Sequence, residues 1–99
     1  MKTKNVIKRP SVHPGEILIE YLEDAALTQS EAARRLHVPI GNINEICRGK
    51  RGISPLFAKK LARLFGNTPE LWMNLQRNWE INLVDDDDVS DVEPIKRRA

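Results

Sequence analysis

Four prolines, each beside a residue suited to starting or stopping a helix, divide this chain into short pieces. Pro14 follows His13 and Pro55 follows Ser54. Pro69 follows Thr68, and Pro39 ends the run His37-Val38-Pro39. A proline at the first helical position gives up an N–H that has no helical partner anyway, and its fixed φ suits the helix. A proline also pushes the residue before it out of the helical region. The chain therefore cannot be one long helix. No stretch alternates apolar and polar residues for long enough to make a useful strand. The pattern predicts an all-α fold of five short helices.

The five are legible from caps and periodicity. The first opens at His13-Pro14-Gly15-Glu16, with Glu16 at the positive helix end. Ile17, Leu18, Tyr21, Leu22 and Ala25 make its apolar stripe, and it ends near Ala25 or Ala26. Thr28 and Glu31 have the spacing of a capping box for the second, which runs to about Leu36 with Ala32 and Ala33 inward. The third starts near Ile40, buries Ile43 and Ile46, and stops at Gly49. The fourth buries Ala58, Leu61, Ala62 and Phe65, and Gly66 ends it. The fifth carries Leu71, Trp72, Leu75 and Trp79 at helical spacing to about Leu83.

Ninety-nine residues make one domain. The boundaries expected are a basic arm over 1–12, a helical domain over 13–83 and a tail over 84–99. The arm and tail are expected to be mobile, because four adjacent aspartates, Asp85 to Asp88, repel one another. The net charge of +2 says little, but its distribution says more. Lys2, Lys4, Lys8 and Arg9 stand in the arm without an acid. Arg48, Lys50, Arg51, Lys59, Lys60 and Arg63 stand together in the same way. A basic face is the footprint of phosphate binding, and equally of a plain solvated surface.

Several classes are disfavoured. No apolar run is long enough to span a membrane, and none follows the basic arm as a secretory signal would. The lone Cys47 has no disulfide partner, and no cysteine–histidine spacing suggests zinc. These features predict a cytoplasmic protein without metal or cofactor. No Ser/His/Asp set, carboxylate pair or glycine-rich loop supports an enzyme. His13 suits a helix cap, and neither His37 nor Cys47 has a partner for chemistry.

The segment Thr28 to Lys50, TQSEAARRLHVPIGNINEICRGK, carries the clearest arrangement. Two short helices join by a tight turn. Small residues stand where they cross, and two isoleucines anchor the second. That is a helix-turn-helix pattern, although a helical hairpin inside an ordinary bundle would look similar. The outward positions of the second helix are Gly41, Asn42, Asn44, Glu45 and Arg48. Asparagine can read adenine edges, and glutamate can accept from cytosine. Arg48, Lys50 and Arg51 are placed to hold the DNA backbone. Thr28 and Gln29 would present backbone N–H groups to a phosphate. Gly41 either relieves crowding after Pro39 or lets the helix backbone approach a ligand closely.

HPGEIL, TQSEAARRL, RGKRGIS and LFGNTPELWMNLQ together resemble the HigA/VapI family of antitoxins, within the phage-repressor-like helix-turn-helix group. The resemblance spans about residues 10 to 83. It implies a type II toxin–antitoxin component: a homodimer that represses its own operon on double-stranded operator DNA and binds a RelE-like mRNA-cleaving toxin. It places the recognition helix over Ile40 to Glu45 and a phosphate contact at Gln29. The chain departs from the wider group at Ile40 and Gly41, where polar base readers are common. Some relatives of this kind regulate transcription without a toxin. Leu71, Trp72, Leu75 and Trp79 are candidates for a dimer seam, with core packing as the rival reading. Glu16, Glu20, Glu23 and Asp24 form either a solvated face or a docking face for a basic toxin.

Overall fold

A computed structural model describes residues 12–96. Five α-helices follow in order: α1 (Pro14–Asp24), α2 (Gln29–Leu36), α3 (Ile40–Cys47), α4 (Pro55–Phe65) and α5 (Pro69–Asn82). No strand occurs among the described residues. Four helices start on side-chain caps: His13, Thr28, Ser54 and Thr68 each accept from a backbone N–H of the first turn. Only α3 starts without one, after Pro39.

The core is small and aliphatic with one aromatic corner. Leu18 of α1, Ile43 and Ile46 of α3, Leu61 of α4 and Trp72 of α5 are fully buried. Ala32, Ala33 and Leu36 bring α2 against them. The Trp72 ring lies 5.2 Å from Tyr21 and 6.3 Å from Phe65, centroid to centroid. Its indole N–H donates to Asn67 Oδ1 at 2.9 Å. This corrects one expectation for the dimer seam. Trp72 has no exposed surface, because the loop after Gly66 carries Asn67 to its polar edge and lets the whole ring go inside. Leu71 and Leu75 are half-buried against the same core.

Two polar residues are buried for structural reasons. Gln76 on α5 accepts from the Ile53 N–H at 2.8 Å and donates to Glu80 at 2.9 Å, tying the α3–α4 loop to α5. His13 is buried at the start of α1, where its Nδ1 accepts from the Gly15 N–H at 2.9 Å. The Trp79 ring stands edge-to-face with the imidazole, the centroids 5.0 Å apart. Next to it, Gly15 lies against α3 so closely that a Cβ would collide with the Ile46 carbonyl. Only glycine permits that backbone contact.

Beyond α5 the chain is exposed, but it is not featureless. Asp86–Val89 form a 3-10 turn in which Asp85 and Asp88 cap each other. Like-charge repulsion argued against any element here. The Asp85 N–H donates to Asp88 Oδ2 at 3.1 Å, which gives that carboxylate a partner and offsets part of the repulsion. The basic arm at Lys2, Lys4, Lys8 and Arg9 lies outside the described residues, as do Arg97 and Arg98.

His13 makes the fold pH-sensitive. Burial pulls its pKa below the ordinary 6.5, and nearby Glu16 offsets this only in part. The folded protein therefore favours neutral imidazole, whose Nδ1 is free to accept. Stability is full above pH 6.5 and falls as pH drops from there toward the lowered folded pKa, where the unfolded chain binds the proton first. Urea midpoints measured between pH 7.5 and 5 should fall. The fall attributable to this group should vanish in His13→Asn, which can cap the helix without titrating.

Candidate nucleic-acid interface

The two helices α2 and α3 meet across a tight turn. His37 closes α2 in the left-handed region at φ 57°, an uncommon conformation for a residue with a side chain, and the Val38 N–H returns to the Ala33 carbonyl at 3.0 Å. Pro39 then starts α3 at once. With about 100° between successive helical residues, the buried Ile43 and Ile46 turn Gly41, Asn44, Glu45 and Arg48 toward solvent. Asn42 flanks that face and is half-buried. Ile40 is 52% exposed, a large apolar side chain left in water at the head of the helix.

The outward residues are not independent. Asn44 donates its amide to Gln29 Oε1 at 3.4 Å and accepts from Arg48 Nη1 at 3.5 Å. A polar row therefore runs from the start of α2 across α3 to its C-terminal end. Beside it, Arg51 Nε donates to Glu45 Oε1 at 2.8 Å. Glu45 and Arg51 were expected to contact a base and a phosphate separately, and the structure joins them. Lys50 is exposed and has no side-chain partner among the described residues.

Thr28 departs from its expected role. Its N–H and its hydroxyl both donate to the Glu31 carboxylate, at 3.1 and 3.2 Å, while its Oγ1 accepts from the Glu31 N–H. The capping box that the spacing predicts is formed, and it occupies the donor that Thr28 was to offer a phosphate. These bonds hold the Glu31 carboxyl below its usual pKa, the Thr28 backbone N–H first among the causes. Gln29 remains in position, its backbone N–H in the first turn without a helical acceptor.

A Cβ built at Gly41 would meet nothing within 4 Å beyond its own helix, so the space beside the backbone is open there. At the opposite end of α2 from Gln29, Arg35, Leu36, His37, Lys60, Arg63 and Leu64 line a cavity of about 480 Å³. It holds no carboxylate, hydroxyl or thiol for catalysis. Among the described residues, no cluster of metal-ligating side chains occurs and no helix is long and apolar enough to cross a membrane. Cys47 is half-buried, and burial raises its pKa, which disfavours the thiolate.

The comparisons with known proteins agree with this geometry. The helix-turn-helix family model matches residues 18–72. Virulence-associated protein I of Dichelobacter nodosus is 40% identical over 79 residues, covering 79% of this chain and 73% of that one. An addiction module antidote protein of the HigA family from Coxiella burnetii superposes with a TM-score of 0.82 at 34% identity, over 89% of this chain and all of that chain. The Pseudomonas aeruginosa antitoxin HigA, solved with the higBA promoter, gives the same score, identity and coverage. The match takes in every helix from α1 into α5 and the turn between α2 and α3, and on these grounds the chain belongs to the helix-turn-helix family, among the HigA antitoxins.

Proposed function

We propose that this protein is the antitoxin of a type II toxin–antitoxin module, which represses its own operon in the cytoplasm and neutralises a RelE-like, mRNA-cleaving toxin. The observation that carries the DNA half is the exposed face of α3. Gly41, Asn44, Glu45 and Arg48 stand on a helix pinned by Ile43 and Ile46, and the six-cation segment 48–63 begins at its end. In this reading Ile40, Gly41, Asn42, Asn44 and Glu45 meet base edges in the major groove, with Ile40 packing on a thymine methyl. Gln29, Arg48, Lys50 and Arg51 hold phosphates.

The promoter of the chain's own gene is the test. Its binding should weaken steeply with salt. Asn44→Ala removes a reader and the brace on Arg48, and should cost about 1–3 kcal/mol of operator affinity. Gly41→Ala should raise folding stability by up to about 1 kcal/mol and still weaken operator binding in a gel-shift titration. Unchanged affinity in both variants would move the recognition face elsewhere.

A homodimer is part of the proposal, since two recognition helices would read a two-fold-symmetric operator with half-sites a whole number of turns apart. Its seam lies at the end of α5 and just past it, where Trp79 is half-buried and Ile81, Leu83 and Val84 are exposed at 61%, 63% and 51%. Large apolar side chains left in water close together in the chain are the material of an interface. Sedimentation of Leu83→Asp should shift the protein toward monomer, and a variant as dimeric as its parent would remove this surface from the seam.

The toxin half rests on family resemblance and on charge. A protein that cuts RNA on the ribosome works among phosphates and should be basic. Glu16, Glu20, Glu23 and Asp24 present an ordered acidic face on α1. Ordered charges lose less entropy on binding than an exposed tail does. Co-purification with the product of the adjacent reading frame should survive truncation after Leu83 and weaken on charge reversal at Glu20 and Asp24. The opposite pattern would place docking on the tail. A chain that binds its promoter but no toxin would be a solitary transcriptional regulator.

A further inference from the structure

We propose that Glu45 is a specificity gate: it holds Arg51 away from DNA phosphates until a cytosine takes Arg51's place at its carboxylate. The inference rests on the DNA-binding reading above and adds a coupling between base and backbone contacts within it.

The pair is placed by the backbone and not only by two side chains that happen to meet. Gly49 turns the chain back at φ 75° just after α3. The Lys50 N–H then donates to the Glu45 carbonyl at 2.8 Å, and the Gly49 N–H to the Ile46 carbonyl at 3.0 Å. This closure fixes Arg51 beside the Glu45 side chain, and Nε meets Oε1 at 2.8 Å. The two side chains are 49% and 47% exposed, so either can exchange its partner without unfolding anything. Glu45 lies on the outward face of α3, on the other side of the helix from Ile43.

Three states follow from the charges. In the free protein the pair is neutral. On a duplex lacking the right base, Arg51 can give its full charge and both faces of its fork to a phosphate only by leaving a carboxylate unpaired on a surface pressed against a polyanion. Arg51 then stays with Glu45 and adds little to binding. On the operator, the N4 amino group of a cytosine donates to Glu45 in the major groove. The carboxylate keeps a partner, and Arg51 is released to a phosphate. One base pair thus controls a backbone contact that carries no sequence information by itself. Arg48 differs in this respect, since its partner is the neutral Asn44 amide and leaving it strands no charge.

The test uses the full-length chain, its own promoter and an unrelated duplex of equal length. Glu45→Gln, Arg51→Gln and the double variant are titrated by fluorescence anisotropy across a salt series. On the unrelated duplex, Arg51→Gln should change affinity by less than about twofold in the parent. In the Glu45→Gln background the same change should cost about fivefold or more. Glu45→Gln alone should tighten binding to the unrelated duplex and steepen its salt slope by about 0.9, the release from one further phosphate. A base-pair scan of the operator should find one C·G position that matters to the parent and not to Glu45→Gln. Arg51→Gln costing the same factor in both backgrounds would overturn the gate. So would a scan in which every C·G position keeps its importance after Glu45→Gln. Circular dichroism checks that the variants fold, as replacement of an exposed ion pair should allow. If the parent shows no salt-dependent binding to any duplex, the DNA reading itself falls, and this proposal with it.

Discussion

A helix of eight residues with no side-chain cap does not persist in water by itself, since isolated helices shorter than about 12–15 residues are marginal. α3 is such a helix. It exists because Ile43 and Ile46 are buried, 0% and 1% exposed, among Leu18, Leu61 and the alanines of α2. Burial of two isoleucines contributes about 1.5–3 kcal/mol each, and removing either would leave a cavity in a core with few large side chains. The outward face of α3 is thereby freed from packing the core. Its residues can be polar, small or exposed without cost to the fold, and Gly41, Asn44 and Arg48 are of these kinds.

Much of this arrangement could be read from the residues alone because it rests on local rules. The starts of all five helices follow from proline and cap chemistry, and the buried positions of α3 follow from periodicity. What escaped was whatever depends on distant parts of the chain. Ile53 is a core residue in a loop, where no periodicity marks it, while Leu56 a few residues on is 67% exposed. Trp72 and Trp79 share a heptad spacing, yet one is sealed against Tyr21 and Phe65 and the other only half-covered by His13. The end of α1 is closed by Ala26 in the left-handed region, where glycine is the usual signal. The 3-10 turn of the tail was hidden by a charge argument that left out the backbone donors.

The site was legible in its residue types more than in their connections. Periodicity placed the right side chains on the outer face of α3. It could not show that Asn44 bridges Gln29 and Arg48, or that Glu45 pairs with Arg51. Those links span loops, and sequence spacing carries no distance across a loop. Nor could it show that Glu31 takes the donors of Thr28. Two carboxylates thus stand at the edge of a surface read as phosphate-binding, and the surface is less uniformly cationic than its composition suggests. An interface tempered in this way depends more on which groups it can satisfy, and less on total charge, than a purely basic one.

The contact between Gly15 and the Ile46 carbonyl has a mechanical meaning. Most helices touch through side chains, which rotate and slide and so absorb small displacements. At Gly15, α1 and α3 touch backbone to backbone, with no side chain between them at that point. A force applied along α1 is transmitted to α3 without slack, as through a rigid strut. The orientation of the outer face of α3 is therefore set by the seating of α1. Anything that grips the solvent side of α1 also holds, at one remove, the angle at which α3 faces the world.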